Sequence, residues 1–291
     1  MEGKGRITGH TGLLALLGSP VGHSGSPAMY NYSFEKLGLD YAYVAFDIKV
    51  EEVKAALDAM RLFHMRGCNV TMPCKTEAAK YMDELSPAAR IIGAVNTIVN
   101  EDGKLIGHMT DGEGFVGNLR DHGIEIKGKK ITVAGGGGAA TAIQVQCALD
   151  GAREISIFNI KDDFFERTLE TAEKIRKEVP GIVVNVYDIA DTAKMTEEIQ
   201  SSDIFANATI VGMKPMDDQS VVKDLSAFRP GLVVADAVYN PEETKLLREA
   251  KEAGCTCVGG KGMLLWQGVA AFKLYTGQDM PVEDVKKLFF S

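Results

Sequence analysis

The sequence lacks any run of about 18 apolar residues, which a membrane-spanning helix would need. Its first apolar run, residues 13–17, is also shorter than the hydrophobic region of a signal peptide. The five cysteines form an odd set without a CxxC pair, which is typical of reduced thiols and not of disulfides or a zinc site. These absences predict a cytoplasmic protein with no membrane partner and no bound metal.

Blocks of like charge are also absent. The chain carries 32 basic and 40 acidic residues, a net charge of −8, and these charges are scattered singly. Proteins that bind nucleic acids concentrate basic side chains against the phosphates, so we expect no nucleic-acid partner. The length of 291 residues predicts about two domains, each large enough to bury a core.

What the sequence does contain is an alternation of strand-like and helix-like segments along almost its whole length. This pattern predicts an α/β protein built from βαβ units and parallel sheets. The amino-terminal strands are predicted at 13–17, 41–46 and 68–70, with a hairpin over 94–106. Six further strands are predicted at 130–134, 155–158, 183–187, 204–206, 232–235 and 256–258.

Helix signals complete the predicted architecture. Ser26 as N-cap and Pro27 as first helical residue are predicted to begin a helix that Gly38 ends. Two helices in the tail have no strand of their own to cover, so we expect them to pack back on the first domain. The predicted domains are residues 1–111 with 262–291, and residues 112–261.

A run of four glycines follows the predicted strand 130–134 and precedes a helix. In the pattern Gly135-x-Gly137-x-x-Ala140, the first glycine permits a tight turn and the second permits close approach of a pyrophosphate. Ala140 permits close packing of helix on strand, and the helix N-terminus supplies N–H groups to the anion. An ordinary tight turn is the alternative, but the strand-turn-helix order favours a Rossmann-type dinucleotide domain.

The end of the second strand of that domain should indicate which dinucleotide binds, because the adenosine ribose lies there. Asp162 is suited to accept hydrogen bonds from the ribose hydroxyls and to repel a phosphate, and no arginine is nearby. NAD is therefore the expected cofactor, with NADP accommodated through Lys161. Alternatively, Asp162 is only the N-cap of the next helix.

Polar residues also cluster at predicted strand ends in the first domain, where ligands of open α/β sheets bind. These segments resemble the shikimate/quinate dehydrogenase family, and their order along the chain matches it from about Gly9 to the C-terminus. The resemblance rests on Ser24-Gly25-Ser26-Pro27, Asn69-Val70-Thr71-Met72-Pro73-Cys74-Lys75, Gly93-Ala94-Val95-Asn96-Thr97, Thr110-Asp111-Gly112 and Gly262-Met263-Leu264-Leu265-Trp266-Gln267.

The resemblance implies roles for individual residues and a substrate domain completed by the C-terminal helices. Lys75 and Asp111 would be the catalytic pair. The substrate carboxylate and hydroxyls would be held by Ser24, Ser26, Thr71, Asn96, Tyr239 and Gln267. The cofactor would be lined by Gly135, Gly136, Gly137, Gly138, Ala139, Asn159, Lys161, Asp162, Ala237 and Gly260. A homodimer is also implied.

The chain departs from the family pattern in a few places. Ile160 and Lys161 stand where the NADP-dependent branch has the Arg and Thr of an Asn-Arg-Thr clamp, which favours the NAD-using quinate/shikimate branch. Met109 stands where Asn is usual before Thr-Asp-Gly, and Gly259 stands where Asp is common. Neither of these two changes removes a catalytic group, although each loosens local hydrogen bonding.

The chemistry expected of Lys75 follows from the reaction. Oxidation of a secondary alcohol requires a base within hydrogen-bond reach of the hydroxyl as the hydride leaves. Asp111 would orient the lysine, but a carboxylate raises a lysine pKa, so either desolvation or a proton relay to water must compensate. The sequence leaves both open. Taken singly, Lys75 would be read as a solvated lysine at a helix start and Asp111 as an N-cap.

Together these features predict an oxidoreductase that interconverts shikimate or quinate and the 3-dehydro acid, with hydride exchanged at the 3-hydroxyl carbon. One alternative is another Rossmann dehydrogenase of similar layout, such as a methylenetetrahydrofolate dehydrogenase, which would need a large pterin slot. A second is a non-catalytic NAD-binding sensor. The Lys75/Asp111 pair argues against the sensor.

Overall fold

The computed structural model describes residues 7–290 of the chain. They form two compact units. The first contains the described residues up to Thr110 and those from Gly268 onward, and the second contains Asp111–Gln267. The second boundary lies at Gln267, whereas the sequence predicted it at residue 261. It falls within a helix that contains residues 261–276.

The first unit is built on a six-stranded sheet in the order β2-β1-β3-β5-β6-β4. Its strands are β1 (Gly12–Gly18), β2 (Tyr41–Asp47), β3 (Gly67–Val70), β4 (Glu84–Leu85), β5 (Thr97–Glu101) and β6 (Lys104–His108). Its first helices are α1 (Ser26–Leu37), α2 (Val53–Leu62), α3 (Lys75–Ala79) and α4 (Pro87–Ile92).

The sheet of the first unit is mixed. Strand β1 pairs in parallel with β2 and β3, whereas β5 is antiparallel to both β3 and β6. The buried central residues of β1 are a continuous apolar run, as expected of a parallel strand covered on both faces. Strand β4 was not predicted, because two residues carry no detectable periodicity.

The start of α1 corrects one prediction. Gly25 occupies the N-cap position and Ser26 is already the first helical residue, so Ser26 is not the N-cap. The Ser26 backbone N–H instead donates to the hydroxyl of Ser24, at 3.2 Å. The predicted end is confirmed, since Gly38 is the C-cap with a left-handed φ of 66°.

The second unit is a doubly wound parallel sheet with strand order β12-β11-β10-β7-β8-β9. All five pairings are parallel, and the order is that of a Rossmann fold. The strands are β7 (Lys130–Ala134), β8 (Glu154–Asn159), β9 (Val183–Asp188), β10 (Ile204–Asn207), β11 (Val233–Asp236) and β12 (Thr256–Val258). The helices are α5 (Asp111–Asp121), α6 (Gly138–Leu149), α7 (Asp163–Glu178), α8 (Thr192–Gln200) and α9 (Lys245–Glu252).

The tail consists of α10 (Lys261–Thr276) and α11 (Val282–Phe289). Within the first unit, the Tyr30 hydroxyl donates to the backbone oxygen of Gly268 at 3.1 Å, and Arg66 Nε donates to that of Tyr275 at 2.7 Å. These are contacts of a tail that packs on the amino-terminal residues. Among residues 7–290, no helix is long and apolar enough to span a bilayer.

Candidate active site

The first unit gathers polar side chains beyond the carboxyl ends of β1 and β3, which are neighbours in the sheet. Ser24 and Ser26 follow β1, Thr71 and Lys75 follow β3, and all four are half-buried. Asn96 is buried and directly precedes β5, whose first residue pairs with Asn69 near the end of β3. Five residues predicted to form the site therefore share one end of the sheet.

Backbone hydrogen bonds fix the spacing within this group. The N–H of Val95 donates to the carbonyl of Lys75 at 3.1 Å, and the N–H of Val70 donates to that of Asn96 at 2.8 Å. Lys75 is itself the first residue of α3, with Cys74 in the N-cap position. The lysine is thus held at a defined helix start beside the segment that carries Asn96.

Asn96 is locked by its side-chain oxygen. Its Oδ1 accepts from the backbone N–H of Thr110 at 2.8 Å and from the hydroxyl of Thr97 at 3.1 Å. Its Nδ2 donates to Oγ1 of Thr110 at 3.0 Å. All three residues are buried, so these bonds are shielded from water and hold the amide in one orientation.

Three of the residues predicted for catalysis or substrate binding belong to the second unit. Asp111 is the first residue of α5, so it lies inside the helix and does not precede it as an N-cap would. Tyr239 follows β11 and has 49% of its surface exposed. Gln267 lies on α10, where its Nε2 donates to the carbonyl of Leu264 at 3.0 Å. The pairing of Lys75 with Asp111 stays a prediction.

The glycine turn between β7 and α6 has the geometry of an anion cradle. Gly135 has a φ of 121°, and a Cβ there would lie 2.7 Å from the carbonyl oxygen of Ala208, so the turn requires glycine. At Gly137 and Gly138 a Cβ would meet nothing within 4 Å. Open space at the N-terminus of a 12-residue helix fits the pyrophosphate of a dinucleotide.

Gly136 has a role that the sequence pattern did not indicate. A Cβ at this position would lie 2.3 Å from Nδ2 of Asn159 and 2.5 Å from Oγ1 of Thr168. These two buried side chains hydrogen-bond to each other at 3.0 Å. Gly136 is therefore required by the packing of the turn on the end of β8 and the side of α7. The side chain of Asn159 therefore packs against the turn at Gly136.

Beyond β8 the chain exposes the residues expected to distinguish the two cofactors. Ile160, Lys161 and Asp162 are all exposed. The Nζ of Lys161 lies 5.9 Å from the centre of the Phe165 ring, within cation–π range. A cation and a carboxylate thus stand side by side where the adenosine ribose of a Rossmann ligand lies.

A buried polar network at the ends of β10 and β11 was missed by the sequence analysis. The Nδ2 of Asn207 donates to Oδ1 of Asp236 at 2.9 Å, and the hydroxyl of Thr244 donates to Oδ2 at 2.6 Å. Burial raises the pKa of Asp236, while the hydrogen bonds from Thr244, the Val238 N–H and Asn207 oppose that rise. The network ties together the loops that follow the two strands.

Ala237 and Gly260, both expected at the cofactor, lie next to this network. The N–H of Ala237 donates to the carbonyl of Asn207 at 2.8 Å. A Cβ at Gly260 would lie 2.7 Å from the carbonyl oxygen of Ala237 and 2.6 Å from that of Val238. The structure therefore brings these two predicted residues together, and their close approach explains the glycine.

Comparisons with known proteins find relatives over nearly the whole chain. Residues 16–98 match the model of the shikimate dehydrogenase substrate-binding domain, and residues 260–288 match that of the shikimate 5'-dehydrogenase C-terminal domain. A shikimate dehydrogenase (NADP(+)) of Listeria monocytogenes is 49% identical over 285 residues, covering 98% of each chain. The chain belongs to the shikimate dehydrogenase family. This is a family of NAD(P)-dependent oxidoreductases that act on a CH–OH group.

Two further members of the shikimate dehydrogenase family show how far the similarity extends. A quinate/shikimate dehydrogenase of Escherichia coli is 45% identical over 282 residues, covering 97% of this chain and 98% of its own. The crystal structure of shikimate 5-dehydrogenase from Listeria monocytogenes, in complex with shikimate and NAD, is 49% identical with a TM-score of 0.95. It covers 98% of this chain and 99% of that one.

Proposed function

We propose that this protein catalyses the reversible oxidation of the 3-hydroxyl of shikimate, quinate or both to the 3-dehydro acid, with NAD(P) as the hydride carrier. The observation that carries the proposal is the placement of Lys75 beside the buried Asn96 at the carboxyl end of β3. A base and an oriented amide at that end of an open sheet suit a small polyhydroxy acid.

Lys75 and Asp111 are proposed as the catalytic pair. In the oxidation direction the Nζ of Lys75 accepts the proton of the substrate hydroxyl, directly or through a water relay, while the C3–H bond breaks. A bound NAD(P) would supply the hydride acceptor. Asp111 orients the lysine and stabilises the ammonium that forms. In the reverse direction Lys75 returns the proton to the carbonyl oxygen.

The remaining polar residues are proposed to orient the substrate. Their hydroxyl and amide groups suit a carboxylate and several ring hydroxyls, and no metal is required for this recognition. The proposed set is Ser24, Ser26, Thr71, Asn96, Tyr239 and Gln267. Because Ser24, Ser26, Thr71 and Asn96 lie beside strand ends, they are held before the substrate arrives, which lowers the entropic cost of binding.

The preference for NAD over NADP is also proposed, and Asp162 supports it. An exposed carboxylate favours ribose hydroxyls over a 2'-phosphate, while the neighbouring Lys161 leaves NADP as a second, weaker cofactor. The relatives differ in this respect, since one Listeria monocytogenes enzyme is named for NADP(+) and another was solved with NAD. A homodimer and a cytoplasmic location stay predictions.

The deciding experiment measures reduced-nicotinamide absorbance with shikimate or quinate and with NAD or NADP. We expect turnover with at least one acid and a higher kcat/KM with NAD. Lys75→Ala should lower kcat by about a hundredfold or more while cofactor binding persists, and Thr76→Ala, an exposed neighbour on the same helix, should not. Cofactor binding without turnover of either acid would favour the non-catalytic sensor, and turnover of a folate substrate would favour the other dehydrogenase class.

A further inference from the structure

A chain of buried polar side chains crosses the sheet of the first unit behind Asn96. The hydroxyl of Tyr43 on β2 donates to Oδ1 of Asn69 on β3, at 2.8 Å. The Nδ2 of Asn69 donates to Oγ1 of Thr97 on β5, at 3.0 Å. All are buried, and a buried polar side chain is costly unless it is hydrogen-bonded.

The direction of the bonds from Tyr43 to Asn69 and from Asn69 to Thr97 is determined. Asn69 Nδ2 also faces the carbonyl oxygen of Asn96 at 3.2 Å, so a flipped Asn69 amide would set two acceptors against each other. Tyr43 must then donate to Asn69, and burial raises the pKa of Tyr43, which keeps its phenol protonated. Thr97 accepts from Asn69, so its own hydroxyl hydrogen is left for the acceptors nearby, which are Oδ1 of Asn96 at 3.1 Å and Oγ1 of Thr110 at 3.2 Å.

That hydrogen reaches the proposed substrate site. Oγ1 of Thr97 lies 3.1 Å from Oδ1 of Asn96, which also accepts the backbone N–H of Thr110. The Thr97 hydroxyl and the Thr110 N–H both hold this oxygen in place. The amide nitrogen, which donates to Thr110 Oγ1, is the opposite end of the side chain.

We propose that Thr97, oriented by Tyr43 and Asn69, is a positioning residue that fixes the Asn96 amide with its nitrogen towards the substrate. This inference rests on the proposed function, because it gives Asn96 the role of a donor to a substrate hydroxyl or carboxylate oxygen. The Thr97 side chain itself contacts no substrate. Together with the Thr110 N–H, it fixes which end of the amide the substrate encounters, and so which ring substituent is recognised.

The test compares Thr97→Val, which keeps the side-chain shape and removes the hydroxyl, with Thr97→Ser, which keeps the hydroxyl. Thr97→Val should raise the KM for shikimate about tenfold, the effect of one lost buried hydrogen bond, and leave the KM for NAD(P) unchanged. Thr97→Ser should restore the shikimate KM to near the wild-type value. An unchanged shikimate KM in Thr97→Val, or an equal rise for acid and cofactor, would overturn the proposal.

A second variant covers the case in which Thr97→Val does not fold. Tyr43→Phe removes only the hydroxyl at the far end of the chain, so Thr97 is no longer fully oriented. We expect a smaller rise in the shikimate KM than in Thr97→Val, in the same direction and without a change for the cofactor. A Tyr43→Phe protein with wild-type kinetics for both ligands would contradict the proposed relay.

A readout that does not depend on turnover separates this inference from the proposed function. The side-chain amide signal of Asn96 in an ¹⁵N-labelled sample is identified by its loss in Asn96→Asp. We expect that signal to shift and to exchange faster with solvent in Thr97→Val, and to stay near its original position in Thr97→Ser. An inactive wild-type protein would refute the proposed function alone, whereas an unmoved Asn96 signal in Thr97→Val would refute the positioning role.

Discussion

The hydroxyl of Thr244 donates to Oδ2 of Asp236 over 2.6 Å, and both side chains are buried. Ala237 and Tyr239, proposed to contact cofactor and substrate, lie on the segment between these two residues. Oδ1 of the same carboxylate accepts from Asn207, at the end of the neighbouring strand. One buried carboxylate thus determines the course of the loop that follows β11.

Replacing Thr244 tests this arrangement. Thr244→Val removes the donor to Asp236 and also the N-cap acceptor for the N–H of Leu247. We expect the free energy of unfolding to fall by about 1–3 kcal/mol and the KM for NAD(P) to rise as the loop loosens. Denaturant titration and steady-state kinetics measure both quantities. Thr244→Ser keeps the hydroxyl and serves as the control, and a Thr244→Val protein as stable as wild type would contradict the prediction.

The glycine turn offers a matched pair of substitutions one residue apart. Gly136→Ala places a methyl group against Asn159 and Thr168, which are themselves packed, so we expect clear destabilisation of about 1–3 kcal/mol. Gly137→Ala has an extended backbone and open space, so the fold should tolerate it. Its methyl group would nevertheless enter the proposed pyrophosphate site and raise the KM for the cofactor. Equal stability of the two variants would be inconsistent with this packing.

The proposed cofactor preference predicts opposite effects for two adjacent residues. Asp162→Asn removes a negative charge beside the expected 2'-phosphate, so the ratio of kcat/KM for NADP to that for NAD should rise about fivefold, the effect of one exposed charge. Lys161→Gln should lower the same ratio. Kinetics at two salt concentrations provide the check, because screening reduces a charge effect. A ratio that is insensitive to both changes would show that neither side chain faces the ribose.

Local patterns were sufficient to predict most elements, because each strand or helix is specified by neighbours in sequence. The turn from Gly135 to Ala140 was recognised in this way, from a strand before it and a helix after it. The N-cap of α1 was misplaced by one residue, since Gly25 occupies that position and Ser26 is already helical. Errors of one residue at a helix end are typical of local signals.

Local sequence patterns could not predict the long-range contacts that orient the site. Asn207 and Asp236 are 29 residues apart and meet only because β10 and β11 are paired. Tyr43 and Asn69 are 26 residues apart and lie on strands separated by β1. A polar residue at a strand end indicates a site, but its partner depends on strand order, which periodicity alone does not give.

A buried ion network in the second unit predicts sensitivity to acid. Glu198 lies between Lys130 and Lys194. Its Oε2 is 2.7 Å from Nζ of Lys130, and its Oε1 is 2.7 Å from Nζ of Lys194. The hydroxyl of Ser156 also donates to Oε2, at 2.7 Å. Burial alone would raise the pKa of Glu198, but these three hydrogen bonds lower it from 4.5 to about 2. The folded protein therefore binds this proton less readily than the unfolded chain does.

The sign of the pH effect follows from that difference. Because the folded pKa lies below the unfolded one, the network stabilises the fold fully above pH 4.5 and loses this contribution as the pH falls towards 2. Glu198→Gln should lower the free energy of unfolding at pH 7 by about 3 kcal/mol and flatten its dependence on pH below 4.5.

Glu197→Gln is the matched control, since Glu197 also contacts Lys194 but its side chain is 70% exposed, and an exposed pair contributes little. Denaturant titrations from pH 3 to pH 7 measure the effect, and parallel pH profiles for wild type and Glu198→Gln would rule out this source of acid sensitivity.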